Sequence, residues 1–331
     1  MTVLCLVERD GDGLADASLR ALTLARELAE SCGEDLAAVL SGPQDSVPGQ
    51  VLADYGAADA YVIESERLPA SGYAPAAWAR ALAELASVVS ATAVAAAGTD
   101  RGSEVMAHLG AITGQPMAAN CAAVRRISPA TFQLVRHRWA GSLLEDAVLE
   151  ASPALLTVAV DAVAAAPAAV PAAAAARVVT LRPELSEADL HVCATESAER
   201  SAGVSLATAR VVVGGGRGVG GPDGFGALEE LAGLLGAAVG VSRVVTSQGW
   251  RPHKQQVGQT GTRISPELYL ACGISGAIQH MAGCLSAKHI VAVNTDPDAP
   301  IISHADYAVI GDLNQVIPAL VAALRSRSAP P

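Results

Sequence analysis

Lysine is almost missing from this sequence. Only Lys254 and Lys288 occur among its 22 basic residues, and the rest are arginines. Set against 33 acidic residues they leave a formal net charge of −11, which excludes the basic surface that nucleic-acid binding needs to displace counterions. Aromatics make up 3 % of the chain and hydrophobic residues 51 %, so the cores have to be built from Ala, Val and Leu. The six cysteines form no C-x-x-C pair, and no His cluster stands at zinc spacing. They are expected to be reduced, mostly buried thiols, and no metal site is expected. Glu8, Arg9 and Asp10 interrupt the first apolar run, which argues against a secretion signal. Asp161, Pro153, Pro167 and Pro171 break the most apolar region, 151–179, which argues against a membrane span. These absences predict a soluble, cytoplasmic protein.

What is present is an alternation of strands and helices. Its 331 residues suffice for two domains. Strands are expected at 2–7, 36–40, 60–63 and 91–97, with helices at 16–32, 75–88 and 103–113, an α/β layer on a parallel sheet. Shorter strand-like runs at 122–127, 131–137 and 155–160 predict an antiparallel edge. Trp139 with Arg136, His137 and Arg138 reads as a solvated face rather than a binding patch. The Ala/Pro tract 162–176 reads as a linker or a loosely hinged edge strand, and 177–195 as the crossing between domains. The expected division is 1–192 and 193–331. The second domain has expected strands at 209–213, 237–241, 268–272, 290–293 and 307–310 and a crossover helix at 225–235. Polar residues recur at the carboxyl ends of its strands (Arg217, Ser242, Arg243, Ser275, Asn294 and Asp312), the edge along which open α/β sheets bind ligands.

Two glycine-rich turns stand out. Residues 216–221 fit G-x-G-x-x-G between a strand and a helix, but no acid follows at the distance of a ribose-binding carboxylate, so standard NAD binding is not expected. No Gly-Lys-Ser/Thr follows either, which removes the phosphate-loop reading. Gly273-Ile274-Ser275-Gly276 joins a strand to a helix expected to begin at Ala277, an arrangement suited to an anion. Ser275 lacks the spacing of a hydrolase nucleophile, His280 has no carboxylate partner in sequence, and no catalytic residue is assigned.

Val257-Gly258-Gln259-Thr260-Gly261, Pro266-Glu267-Leu268-Tyr269 and the run from Gly273 to His280 resemble the signature of the electron-transfer flavoprotein alpha subunit. Gly215 to Gly218, Val293-Asn294, Ala299-Pro300-Ile301 and the stretch from Ala305 to Leu313 follow in that family's order. The resemblance covers essentially all of the second domain. It implies a nucleotide-hydrolase-like α/β first domain that meets another subunit, and a doubly wound parallel-sheet second domain that binds FAD. It further implies a heterodimer with a beta subunit holding AMP, and electron transport from dehydrogenases, those of fatty acid beta-oxidation among them, to a membrane quinone oxidoreductase.

Carried over by residue, Arg217 and Ser242 would lie at the flavin or its phosphates, and Arg243 near the dimethylbenzene side. Gln259 and Thr260 would contact the ring, with the Thr260 hydroxyl near flavin N5, and Val257, Gly258 and Gly261 would belong to the same cofactor-binding turn. Ser275, Gly276, Ala277, Ile278, Gln279 and His280 would wrap the pyrophosphate, with His280 reaching the pyrimidine edge as a donor or an imidazolium. Asn294, Asp312 and Leu313 would sit by the adenosine half. The basic loop 249–256 departs from the family and leaves open a different redox partner or beta subunit, or a specialised dehydrogenase; whether the complex bifurcates electrons depends on a second cofactor in the beta subunit. A nucleotide-binding α/β enzyme and a non-redox scaffold subunit remain the alternative readings.

Overall fold

The computed structural model describes every residue except 12, 70–71, 142, 161, 171–173, 195–204, 207–208 and 329–331. The chain divides into two compact units, Met1–Glu199 and Arg200–Pro331. Among the described residues no helix is long and apolar enough to cross a membrane.

The first unit runs β1 (Thr2–Leu6), the short hairpin β2 (Arg9–Asp10) and β3 (Gly13–Leu14), α1 (Asp16–Cys32), β4 (Asp35–Ser41), α2 (Gly49–Asp54), β5 (Ala57–Ile63), α3 (Pro75–Val88), β6 (Ala91–Ala97), α4 (Asp100–Thr113), β7 (Met117–Ser128), β8 (Thr131–Arg138), β9 (Leu143–Glu150), β10 (Ala154–Val158) and β11 (Arg177–Leu181). The larger sheet has the order β11-β5-β4-β1-β6-β10-β7-β8-β9. It is parallel from β11 to β7 and antiparallel across β7–β8–β9. The alanine-rich β6 is buried along its whole length, because helices cover both faces. Leu22, Ala25 and Leu28 of α1 pack on one, Leu82 and Leu85 of α3 with Met106 and Leu109 of α4 on the other.

Three expectations change here. Residues 155–160 do not join the antiparallel edge: β10 lies inside the parallel part, between β6 and β7, and β9 supplies the missing antiparallel strand. Its Leu143, Leu144 and Val148 are exposed, so no apolar period marks it in the sequence. The tract 162–176, described except at 171–173, is anchored. Arg20 donates to the carbonyls of Val160 and Val163, and Arg26 to that of Ala166. Residues 177–181 are the edge strand β11 paired with β5, so they belong to the first unit rather than to a crossing; Thr195 lies outside the described residues. The reading of 136–139 as a solvated face fits, since Trp139 is 81 % exposed and Arg136 and Arg138 share Glu145.

The second unit runs β12 (Val211–Gly215), α5 (Gly226–Leu235), β13 (Ala238–Val241), α6 (Arg243–Ser247), β14 (Leu268–Cys272), α7 (Ile278–Met281), β15 (His289–Asn294), β16 (Tyr307–Ile310) and α8 (Leu313–Ser328). Its five strands are all parallel, in the order β13-β12-β14-β15-β16. From β12 the chain winds one way to β13 and the other way to β14, β15 and β16. The winding therefore reverses between β12 and β14, and a crevice opens there at the carboxyl ends. α8, which the sequence reading did not include, buries Leu313, Ile317 and Val321 in the core that α5 also covers.

Candidate functional site

A cavity of about 720 Å³ occupies that edge of the second unit. Every strand from β13 to β15 contributes to it from its carboxyl end: Arg217 and Gly218 after β12, Ser242 and Arg243 after β13, Gly273 to Ala277 after β14, and Asn294 at the end of β15. The loop 256–260 and the side chains of Gln279 and His280 complete the lining. Of the residues expected from the sequence, Arg217, Ser242, Arg243, Val257, Gly258, Gln259, Thr260, Ser275, Gly276, Ala277, Gln279, His280 and Asn294 thus come together. Gly261, Ile278, Asp312 and Leu313 do not line the cavity. Ile278 is 83 % exposed. The Asp312 carboxylate accepts from the Asn314 N–H at 2.9 Å, capping α8, and Leu313 is a core residue.

The glycines fix the backbone paths. A Cβ on Gly216 would stand 2.2 Å from the Gly273 carbonyl oxygen, and one on Gly218 2.7 Å from the Gly273 Cα. The Gly218 N–H donates to that carbonyl at 3.0 Å. These two glycines of the G-x-G-x-x-G run therefore let the loops after β12 and β14 lie against each other. Gly276 has φ +80°, and its Cβ would meet the Ile301 backbone nitrogen at 2.5 Å. That nitrogen donates to the Ser275 carbonyl, which stitches the 275–279 loop to residue 301. Asn294 holds the same loop from the other side: its Nδ2 donates to the Ile274 carbonyl, and its Oδ1 accepts from the Asp296 N–H.

The resulting loop carries donors without acceptors. Among the described residues, no protein group accepts from the backbone N–H of Ser275, Gly276, Ala277, Ile278 or Gln279. Arg217 and Arg243 line the cavity and are exposed, and only Asp296 opposes them in its lining. An acidic protein thus turns cations and free N–H groups toward one cavity, the arrangement that holds phosphate oxygens. The lining fits a long anionic ligand such as FAD.

Two polar groups missed by sequence reasoning order the cavity wall. Gln256 is 2 % exposed. Its Oε1 accepts from the Thr246 hydroxyl at 2.6 Å, and its Nε2 donates to Thr260 Oγ1 at 3.0 Å. Thr260 thereby keeps its own proton available. Its place next to the Gly-Gln-Thr-Gly turn was the only signal for Gln256. Tyr269 stood in the Pro266–Tyr269 stretch of the resemblance but was given no role there; its hydroxyl lies 2.8 Å from His280 Nε2. Burial lowers the His280 pKa to about 4 against a pull upward from the Val257 carbonyl, so of the two expected forms the neutral donor fits the structure rather than the imidazolium. The basic loop is also less free than its sequence suggests. Arg251 pairs with Glu229 at 2.7 Å and lies over the Phe225 ring, leaving His253 and Lys254 exposed.

Sheet, switch point and donor-lined cavity define an α/β protein that binds an anionic dinucleotide along its strand ends. Residues 205–285 match the electron transfer flavoprotein FAD-binding domain and residues 3–186 the electron transfer flavoprotein domain. The chain is 38 % identical over 326 residues to an electron transfer flavoprotein subunit alpha of Mycobacterium tuberculosis, covering 98 % of each. It is 33 % identical over 321 residues to one of Thermoanaerobacterium thermosaccharolyticum, covering 95 % of this chain and 94 % of that one. It is 35 % identical over 342 residues to Protein FixB of Bradyrhizobium diazoefficiens, covering 99 % and 89 %. The chain belongs to the electron transfer flavoprotein family as an alpha subunit, and its cofactor is FAD. Membership implies a beta-subunit partner.

Proposed function

We infer that this chain, paired with its beta subunit, holds FAD in the 720 Å³ cavity and carries electrons from dehydrogenases to a membrane quinone oxidoreductase, without a substrate of its own. The run of unpaired N–H groups that lines the cavity, Ser275 to Ala277 and Gln279, carries this reading. It receives the pyrophosphate, with Arg217 adding charge-assisted hydrogen bonds. Gln259, Thr260 and His280 face the isoalloxazine, Ser242 and Arg243 its dimethylbenzene side, and the Asn294 end of the cavity takes the adenosine half. FAD supplies the one-electron chemistry. The chain's own part is to fix which protons point at the ring. Gln256 occupies one lone pair of Thr260 Oγ1, so the hydroxyl donates outward, toward flavin N5. His280 brings an uncharged ring to the pyrimidine edge.

The reading extends to a cytoplasmic heterodimer whose beta subunit carries AMP. The beta subunit also covers the flavin, because Gln259, Thr260 and Gln279 are exposed here. The isolated chain is therefore a poor flavoprotein, and FAD titration should tighten on adding the partner. The test is to purify the chain with its partner, record the visible spectrum and identify the released nucleotide. FAD rather than FMN or NAD is expected, with reduction by a dehydrogenase of the same organism. A colourless, fully assembled complex that takes up no FAD would refute the assignment.

A further inference from the structure

Tyr269 is fully buried, on the strand beside the topological switch. It is the one residue of β14 with a side-chain hydroxyl, and room for that group is built into the neighbouring strand. A Cβ on Gly214 would stand 2.4 Å from the Tyr269 oxygen and 2.6 Å from Cε2, so β12 gives up a side chain where the phenol reaches across. Burial holds the phenol pKa well above its ordinary value, which keeps its proton on oxygen at any working pH.

That proton has one acceptor given by the structure, His280 Nε2 at 2.8 Å. If Nε2 carried the proton and donated instead, the phenolic hydrogen would be orphaned in the core, at the full cost of desolvating it. The tyrosine therefore donates, Nε2 accepts, and the imidazole proton sits on Nδ1. His280 is 7 % exposed and lines the cavity. Its Nδ1 is buried and makes no well-formed hydrogen bond; the Val257 carbonyl beside it pulls the ring's pKa upward and favours a proton on that nitrogen.

We propose that Tyr269 is a positioning residue for the flavin. By donating to Nε2 it fixes His280 as the Nδ1–H tautomer, so the cavity receives a neutral N–H donor rather than an acceptor or a cation. A donor of this kind strengthens as negative charge gathers on the ring's pyrimidine edge, whereas an acceptor there repels it. The chain Tyr269–His280–ligand parallels the Gln256–Thr260–ligand chain in the lining of the same cavity. In both, a buried group spends one partner of a cavity residue and leaves its proton facing outward. The proposal rests on the FAD reading of the cavity.

The test uses the alpha–beta complex labelled with nitrogen-15 in histidine, His280 being assigned by its loss in His280→Gln. Long-range proton–nitrogen spectra report the tautomer directly, with or without flavin. Nδ1–H is expected in the wild type, and loss of that single tautomer in Tyr269→Phe. With FAD bound, Tyr269→Phe should lower the preference for reduced over oxidised flavin about tenfold, which for one electron is about 59 mV. If Tyr269→Phe does not assemble, 3-fluorotyrosine incorporation keeps the volume and strengthens the donor, and the His280 Nε2 resonance should move. An unchanged tautomer in Tyr269→Phe, or an unmoved Nε2 resonance on fluorination, overturns the role of Tyr269. A wild-type complex that binds no flavin overturns the reading of the cavity, while the spectra still decide the tautomer.

Discussion

Replacing Gly276 by alanine should damage the flavin site out of proportion to the single methyl group added. Gly276 sits at φ +80°, and its Cβ would come within 2.5 Å of the Ile301 nitrogen, 2.6 Å of its Cβ and 2.7 Å of its Cα. Two of the three are backbone atoms, so no rotamer change clears the space. The left-handed conformation costs a non-glycine residue about 1–2 kcal/mol, and forcing a methyl into packed structure adds about 1–3 kcal/mol. A total of about 3 kcal/mol is a large share of the roughly 5–15 kcal/mol that stabilises a domain. The strain also breaks the Ile301-to-Ser275 hydrogen bond and displaces the 275–279 donors, so FAD affinity should fall by about 10–100-fold. Gly236→Ala is the control. Gly236 caps α5 at φ +60° with nothing within 4 Å of an added Cβ, so it carries the conformational cost alone, about 1 kcal/mol. The assay is thermal unfolding and flavin content of the purified alpha–beta complex for both variants. Gly276→Ala with full flavin and the same melting temperature as Gly236→Ala would refute the packing argument.

Three further outcomes follow from the site. His280 has a folded-state pKa of about 4, below its ordinary 6.5, so the stability tied to its neutral ring is complete above pH 6.5 and lost as pH falls toward 4. The full loss is about 3 kcal/mol at roughly 1.4 kcal/mol per unit, and urea unfolding near neutrality and near pH 4.5 should show a larger acid loss for wild type than for His280→Asn; parallel losses would contradict it. Arg217→Ala should weaken FAD binding to the deflavinated complex about tenfold, with a smaller effect at high salt, and a salt-independent change in a fluorescence titration would point away from a phosphate contact. Asp312→Ala should cost about 1 kcal/mol of cap energy and lower the melting temperature by about 2–5 °C with FAD affinity unchanged. A large affinity loss there would show that Asp312 reaches the adenosine after all.

The sequence alone determined the layer architecture, because burial writes its period into the chain. Helix 16–32, strand 91–97 and strand 268–272 agree with the structure to the residue, since each is a run whose apolar spacing admits one element and whose ends carry glycine or polar residues. It also determined most of the cavity lining, because ligand-facing loops at strand ends must be polar and glycine-rich whatever the surrounding fold.

Tertiary structure decided what no local pattern encodes. β10 lies between β6 and β7 although it follows β9 in the chain, because its pairing is with strands distant in sequence. The glycines at 216 and 218 are explained by the backbone of Gly273, more than fifty residues on, which no motif at 216–221 can express. The charge state of His280 and the direction of its proton depend on burial and on Tyr269 across the strand. Sequence names the imidazole, but a proton's position is set by which neighbour has no other acceptor, and only packing chooses the neighbours.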